Sequence, residues 1–367
     1  MPNLKKSLLK RKKQIRKVFM ERKYYEMQDI EQERRLRNML NVLPKFCHEY
    51  FIGIQQRTGT KTRLGYAYDL SLFFEFIKEN NPTLRNTEIH DFDLELLDNL
   101  SPFDIEEYMN HLRVYEKDGV EHTNKERGIA RKLAAVRSMY NYFYKKQVIK
   151  TNPPALVSTP KQHEKNIIRL ETDEVVELLD TMESGENLTK NQKVFADKTR
   201  VRDLAIVTTL LGTGIRVSEL VGLDMNDIDF KNQALKVHRK GGKEQMVYFG
   251  DEVNEALLSY LDERKNTVTA DENEHAFFLS LRKQRIGVRA VEKLVKKYAS
   301  TVTPLKPITP HKLRSTYGTT LYKETGDIYL VADVLGHSDI NTTRKHYAAQ
   351  ADENRRKAAR IVKLRED

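Results

Sequence analysis

The 367-residue chain has 39% hydrophobic residues, a formal net charge of +11 and a pI of about 9.3. No run approaches the roughly 20 apolar residues of a membrane span, and the N-terminal stretch lacks the apolar core of a secretory signal, so no membrane partner is expected. The single cysteine, Cys47, excludes an intrachain disulfide, which fits a reducing, cytoplasmic setting. The length accommodates two domains, and the positive charge favours a polyanionic partner, nucleic acid foremost.

Residues 1–40 read as a basic N-terminal extension. Lys5, Lys6, Lys10, Arg11, Lys12, Lys13, Arg16 and Lys17 face no acid, and such a block is a solvated arm or a phosphate binder. Residues 20–40 mix charges at helical spacing, as an exposed or partner-contacting helix does. Residues 41–150 predict four helices. The first covers about 43–55. The second follows Thr60, with Leu64, Tyr68, Leu72, Phe73 and Phe76 as its apolar stripe. The third opens at Ser101-Pro102, an N-cap followed by a proline whose missing N–H costs nothing at the first helical position. The fourth spans about 124–148, with Ile129, Leu133, Val136, Met139, Tyr140 and Phe143 on one side. Arg131, Lys132 and Arg137 lie on its other faces, either as a solubilising surface or as candidate DNA-binding residues. Thr151-Asn152-Pro153-Pro154 then stops the helix, and the polar stretch 151–169 is a linker.

The second domain, 170–350, predicts a helix over 171–182 capped by Thr172, then a charged loop over 183–198. An apolar helix over 202–211 ends at Gly212-Thr213-Gly214, and a short helix covers 216–223. Alternation on both sides of Gly241-Gly242 predicts a β-hairpin over 234–249. Helices follow at 251–264, 287–299, 311–323 and 328–335. Residues 351–367 read as a C-terminal tail with a short helix. The fold class is mainly α with a small antiparallel β-sheet.

The candidate chemistry lies in the second domain. Arg216 follows a glycine turn, with Glu219 on the same helical face. Lys240 sits at the tip of the hairpin. Thr309-Pro310 opens a helix carrying His311 and Arg314, three apart on one face. Gly336 is placed to end a helix before His337, and Tyr347 lies in a short basic segment. Each residue alone has an ordinary explanation: an ion pair, a solvated turn, a cap or amphipathic packing. Together they are two arginines, two histidines, a lysine and a tyrosine, with no metal-ligand pattern. That set suits binding a phosphodiester by its charge and attacking it with a phenol.

The motifs T-G-I-R-V-S-E-L, R-K-G-G-K, T-P-H-K-L-R and V-L-G-H-S-D-I-N-T-T, in this order, resemble those of the tyrosine recombinases, the phage integrase family, and most of all its Xer-type branch. The preceding R-K-L-A-A-V-R-S-M-Y-N-Y-F is similar to the family's core-binding domain. The resemblance implies a helical SAM-like core-binding domain plus an α+β catalytic domain, clamped around duplex DNA. It implies Arg216, Arg314, His311 and His337 around the scissile phosphate and Tyr347 as nucleophile. Lys240 would be the general acid, with Lys243 as the alternative, and Glu219 a supporting acid. It implies no cofactor and no metal. The expected partners are double-stranded DNA bearing an inverted-repeat site, a homotetramer on two sites, and a DNA translocase or second recombinase. The tail would dock on a neighbouring protomer. Tyr347 stands ten residues after His337, where nine is commoner in the Xer branch and where His346 falls here. Ser315 stands where the family often has histidine. The rival expectations are a mobile-element integrase, a type IB-like topoisomerase and a DNA-binding protein with a decayed site.

Overall fold

A computed structural model describes residues 24–161, 168–239, 242–270 and 274–336. The chain divides into two compact units, Met1–Glu164 and Lys165–Asp367. Both are mostly helical with a little antiparallel sheet. The basic block Lys5–Lys17 and the tail 351–367 lie outside the described residues. Among the described residues no helix is long and apolar enough to cross a membrane.

The first unit begins with α1 (Tyr24–Leu40), α2 (Cys47–Gly53) and α3 (Thr60–Asn80). Residues 24–40 are not set apart from the domain as the sequence suggested. Leu36 is buried in the unit's core, Met39 and Leu40 pack against it, and Glu33 pairs with the buried Arg63 of α3 at 3.1 Å. The few apolar positions among many charges suffice because they recur on one side. The helix α2 is shorter than expected, since Pro44 disfavours helical backbone at Leu43. The short α4 (Leu96–Asn99) precedes α5 (Pro102–His111), whose Ser101 cap forms a full capping box with Asp104. A hairpin that the sequence reading missed follows, β1 (Val114–Lys117) and β2 (Val120–Thr123). Its turn residues Asp118 and Gly119 both have positive φ, 55° and 72°. Asp-Gly is the dipeptide that such a primed turn selects.

The last long helix of the unit, α6 (Glu126–Lys145), buries Ile129, Leu133, Val136, Met139, Tyr140 and Phe143. Aromatic rings dominate the core, and each fully buried large side chain contributes about 1.5–3 kcal/mol. Phe46 meets Phe74 and Phe143 edge-on, at centroid distances of 5.8 and 5.7 Å. The two prolines do more than stop α6. Pro153 and Pro154 begin a one-turn helix, α7 (Pro153–Leu156), at positions where neither missing N–H is needed. Val157 is buried in the same core, so the first part of the expected linker is anchored to this unit.

The second unit runs through α8 (Thr172–Ser184), α9 (Lys190–Asp197), α10 (Arg200–Thr213) and α11 (Val217–Val221). A three-stranded antiparallel sheet follows, β3 (Ile228–Asp229), β4 (Ala234–His238) and β5 (Glu244–Tyr248), in the order β3-β4-β5. Then come α12 (Asp251–Lys265), α13 (Val288–Val302), α14 (Pro310–Thr325) and α15 (Ile328–Leu335). Two local expectations fail. The cap of α8 is Glu171 rather than Thr172, because its carboxylate and that of Glu174 satisfy each other's backbone N–H groups. The charged stretch 183–198 contains α9, opened by a Thr189–Gln192 capping box. That motif was visible in T-K-N-Q, but the thin apolar face of the segment hid it. The strand β3 has two residues and no alternation to read; it exists through the pairing of Ile228 with Leu235.

Candidate active site

The site grows from two glycine turns. Helix α10 ends at Gly214, which takes the left-handed conformation with φ 63°. A Cβ there would lie 2.4 Å from Tyr317 Cδ1 and 3.0 Å from Leu335 Cδ2, so both the backbone and the space require glycine. The turn hands the chain to Arg216, the N-cap of α11. Glu219 sits in the first turn of α11, where a carboxylate complements the helix dipole. It is 3% exposed. Its Oε2 accepts the backbone N–H of Arg216 at 2.8 Å, and its Oε1 accepts Arg216 Nη1 at 2.7 Å.

The second turn is Gly336, also left-handed with φ 60°, which closes α15. The last carbonyls of a helix lack intrahelical partners and attract cations. Three arginines reach them. Arg216 Nη2 donates to Gly336 O at 3.2 Å. Arg314, on α14 and 4% exposed, donates through Nη2 to Leu335 O and through Nη1 to Gly214 O, the latter at 2.5 Å. The third is Arg239, at the end of β4. Its Nη1 donates to Glu219 Oε2 at 3.0 Å and to Leu335 O at 3.3 Å, and its Nη2 donates to Val334 O at 2.9 Å. Glu219, itself buried, therefore holds two guanidiniums, of which Arg239 is buried and Arg216 partly exposed.

Arg239 was missed in the sequence. It stands in the R-K-G-G-K motif, but a hairpin arginine gives no local sign of turning inward. The structure brings together Arg216, Glu219 and Arg314. Pro310 occupies the first position of α14 as the spacing predicts, and Thr309 is its N-cap, although without a side-chain cap hydrogen bond. His311, one turn before Arg314, is exposed while Arg314 is buried. Lys240, His337 and Tyr347 lie outside the described residues. Lys240 follows Arg239 in the chain and His337 follows Gly336, so the described cluster holds the chain neighbours of both. Lys243 is described and exposed. Among the described residues no group of three or more His, Cys, Asp or Glu side chains is arranged to hold a metal ion.

The basic residues of α6 have internal partners. Lys132 is 8% exposed and donates to Asn124 Oδ1 at 3.1 Å, and burial pulls its ammonium pKa down. Arg131 pairs with the buried Asp69. Arg137 donates to Pro154 O, Val157 O and Thr159 Oγ1, holding the segment after α7. These contacts account for Lys132 and Arg137 as structural groups of the first unit.

Residues 168–354 match the model of the phage integrase family. The chain is 33% identical over 312 residues to tyrosine recombinase XerC of Caldanaerobacter subterraneus subsp. tengcongensis, spanning 83% of this chain and 81% of that protein. It is 30% identical over 337 residues to tyrosine recombinase XerS of Streptococcus agalactiae, spanning 82% and 91%. Among solved structures, the XerH site-specific recombinase bound to a palindromic difH substrate matches with a TM-score of 0.61 at 18% identity, over 82% of this chain and 80% of that one. That likeness is one of fold. The chain therefore belongs to the phage integrase family, the tyrosine recombinases, which cleave and rejoin DNA through a tyrosine intermediate.

Proposed function

We propose that this recombinase acts in the cytoplasm on paired, inverted-repeat DNA sites, as a homotetramer, and resolves chromosome dimers in the manner of the Xer branch. The observation that carries the reading is the convergence of Arg216 and Arg314 on the carbonyls at the end of α15, immediately before His337. Two guanidiniums held in fixed positions suit a phosphate's non-bridging oxygens and the charge that grows on them in the transition state. His311 and His337 complete the cradle.

In the proposed reaction Tyr347 Oη attacks phosphorus. The P–Oη bond forms and the P–O5′ bond breaks, leaving a 3′-phosphotyrosyl link. Lys240 donates a proton to the departing 5′-oxygen, and His311 assists removal of the phenolic proton. A free phenol has a pKa of about 10, so the cationic surround is what makes attack feasible near neutrality. In the second half the 5′-hydroxyl of the partner strand attacks the phosphotyrosine and Tyr347 leaves. The covalent link conserves the bond energy, so rejoining needs neither ATP nor metal. Arg131, with its side chain more than half exposed, is retained as a DNA-backbone contact. The C-terminal tail, from Glu353 onward, would couple neighbouring protomers.

The test is covalent trapping. Wild type and Tyr347→Phe are incubated with nicked suicide substrates bearing dif-like sites, without added metal, and resolved in SDS. A protein–DNA adduct that disappears in Tyr347→Phe is expected. An adduct that survives the substitution would move the nucleophile elsewhere, and tight binding without any adduct by wild type would contradict the cleavage reading on that site.

A further inference from the structure

Arg239 directly follows β4 and precedes Lys240, yet its side chain is turned away from solvent. Its partners come from three separate elements. On α11 it meets both oxygens of Glu219, at 3.0 and 3.3 Å. On α15 it meets Val334 O and Leu335 O. Across its own hairpin its Nε donates to Gln245 Oε1 at 3.0 Å, and its backbone N–H donates to Lys243 O at 2.7 Å. Gly336 also belongs to this arrangement, since a Cβ there would lie 3.0 Å from Arg239 Nε.

Removing a guanidinium from water is costly unless its donors are matched. Here all three guanidinium nitrogens have acceptors, and those bonds join the hairpin to α11 and to a helix end. A residue kept merely to fill space would achieve that more cheaply with an apolar side chain. The fork of an arginine can reach acceptors in several directions at once, whereas a lysine presents one point charge.

We propose that Arg239 is a positioning residue. It ties the end of β4 to Glu219 and to the carboxyl end of α15, and through the chain it supports general-acid action by its neighbour Lys240 in the proposed reaction. The inference rests on the assignment of Lys240 as general acid in the proposed reaction.

The test uses full-length Arg239→Lys and Arg239→Gln beside wild type and Lys240→Ala. Single-turnover cleavage is measured on suicide DNA carrying either oxygen or sulfur at the scissile 5′-bridging position. A thiol is far more acidic than an alcohol, so a sulfur leaving group departs without a general acid. The expected result is a loss of about a hundredfold on the oxygen substrate for Arg239→Lys, the lower end of what general acid–base catalysis supplies. DNA affinity should be unchanged, and the sulfur substrate should restore the rate as it does for Lys240→Ala. An equal loss on both substrates, or no loss on either, overturns the proposal. If Lys240→Ala itself is not rescued by sulfur, the general-acid reading fails and the proposal falls with it. Amide hydrogen exchange supplies a readout independent of activity. Residues 334–336 should exchange faster in Arg239→Gln, and unchanged exchange there would overturn the tie even if wild type proved inactive on the chosen DNA.

Discussion

Arg314 and Gly214 stand a hundred residues apart and are joined by a 2.5 Å hydrogen bond, from the guanidinium Nη1 to the backbone carbonyl. The bond locks α14 to the turn that launches Arg216. One buried side chain thus sets the spacing of the two arginines proposed to bind phosphate, and the glycine's left-handed backbone presents the carbonyl that receives it.

Gly214→Ala should damage this arrangement directly. A side chain at φ 63° is strained, and its Cβ would collide with Tyr317 and Leu335. The expected cost is about 2–4 kcal/mol from left-handed strain and overpacking together, read as a lower urea midpoint of the second unit. A change within about 0.5 kcal/mol, the range of an ordinary surface substitution, would show that the turn relaxes freely.

Glu219→Gln removes the negative charge shared by Arg216 and Arg239. Breaking a buried ion pair from one side costs about 3–5 kcal/mol, and the remaining amide oxygen recovers part of that. The variant is expected to unfold at lower denaturant and to cleave DNA slowly, because Arg216 loses the group that orients it. Wild-type stability and cleavage together would place the weight of the cluster on the helix carbonyls alone.

Asp69 gives a pH prediction. Burial raises its pKa above 3.8, and the opposing attraction of Arg131 and Lys132 does not offset that. Below 3.8 both folded and unfolded states are protonated. As pH rises past 3.8 the unfolded state ionises first, so the contribution to stability falls through the raised folded pKa and then levels off. Asp69→Asn should therefore gain stability relative to wild type as pH rises from about 4 through that window, measured by urea denaturation at fixed ionic strength. A difference that does not vary with pH would contradict the assigned direction.

Arg137 separates a structural role from a DNA contact. Its donors are committed to Pro154, Val157 and Thr159. Arg137→Ala should lower the thermal midpoint of the protein by removing charge-assisted bonds worth about 1.5–3 kcal/mol each at most. The slope of log affinity for DNA against log salt should stay the same. Loss of one phosphate contact would instead reduce that slope by about 0.9, and such a change would return Arg137 to the DNA interface.

Much of the second unit was legible in the sequence because its signals are local. Gly214 and Gly336 end helices, Pro310 begins one, and Gly242 turns the hairpin; each acts through its own φ or its own missing atom. The missed elements had weak or competing local signals. The Asp118-Gly119 turn was readable but stood between strands of only four residues, and α9 buries only Ala196.

The sequence by itself determined the family, through the order of its arginine, lysine, histidine and tyrosine motifs, and it determined the helical class through apolar spacing. Only the tertiary structure decided which charged side chains turn inward. Lys132 and Arg137 appeared equally suited to phosphate and to solvent, and Arg239 gave no sign at all. Whether a cation faces water or a carbonyl depends on what distant segments bring within about 3 Å of it. For Arg239 those segments are α11 and the end of α15, which the chain reaches only after folding.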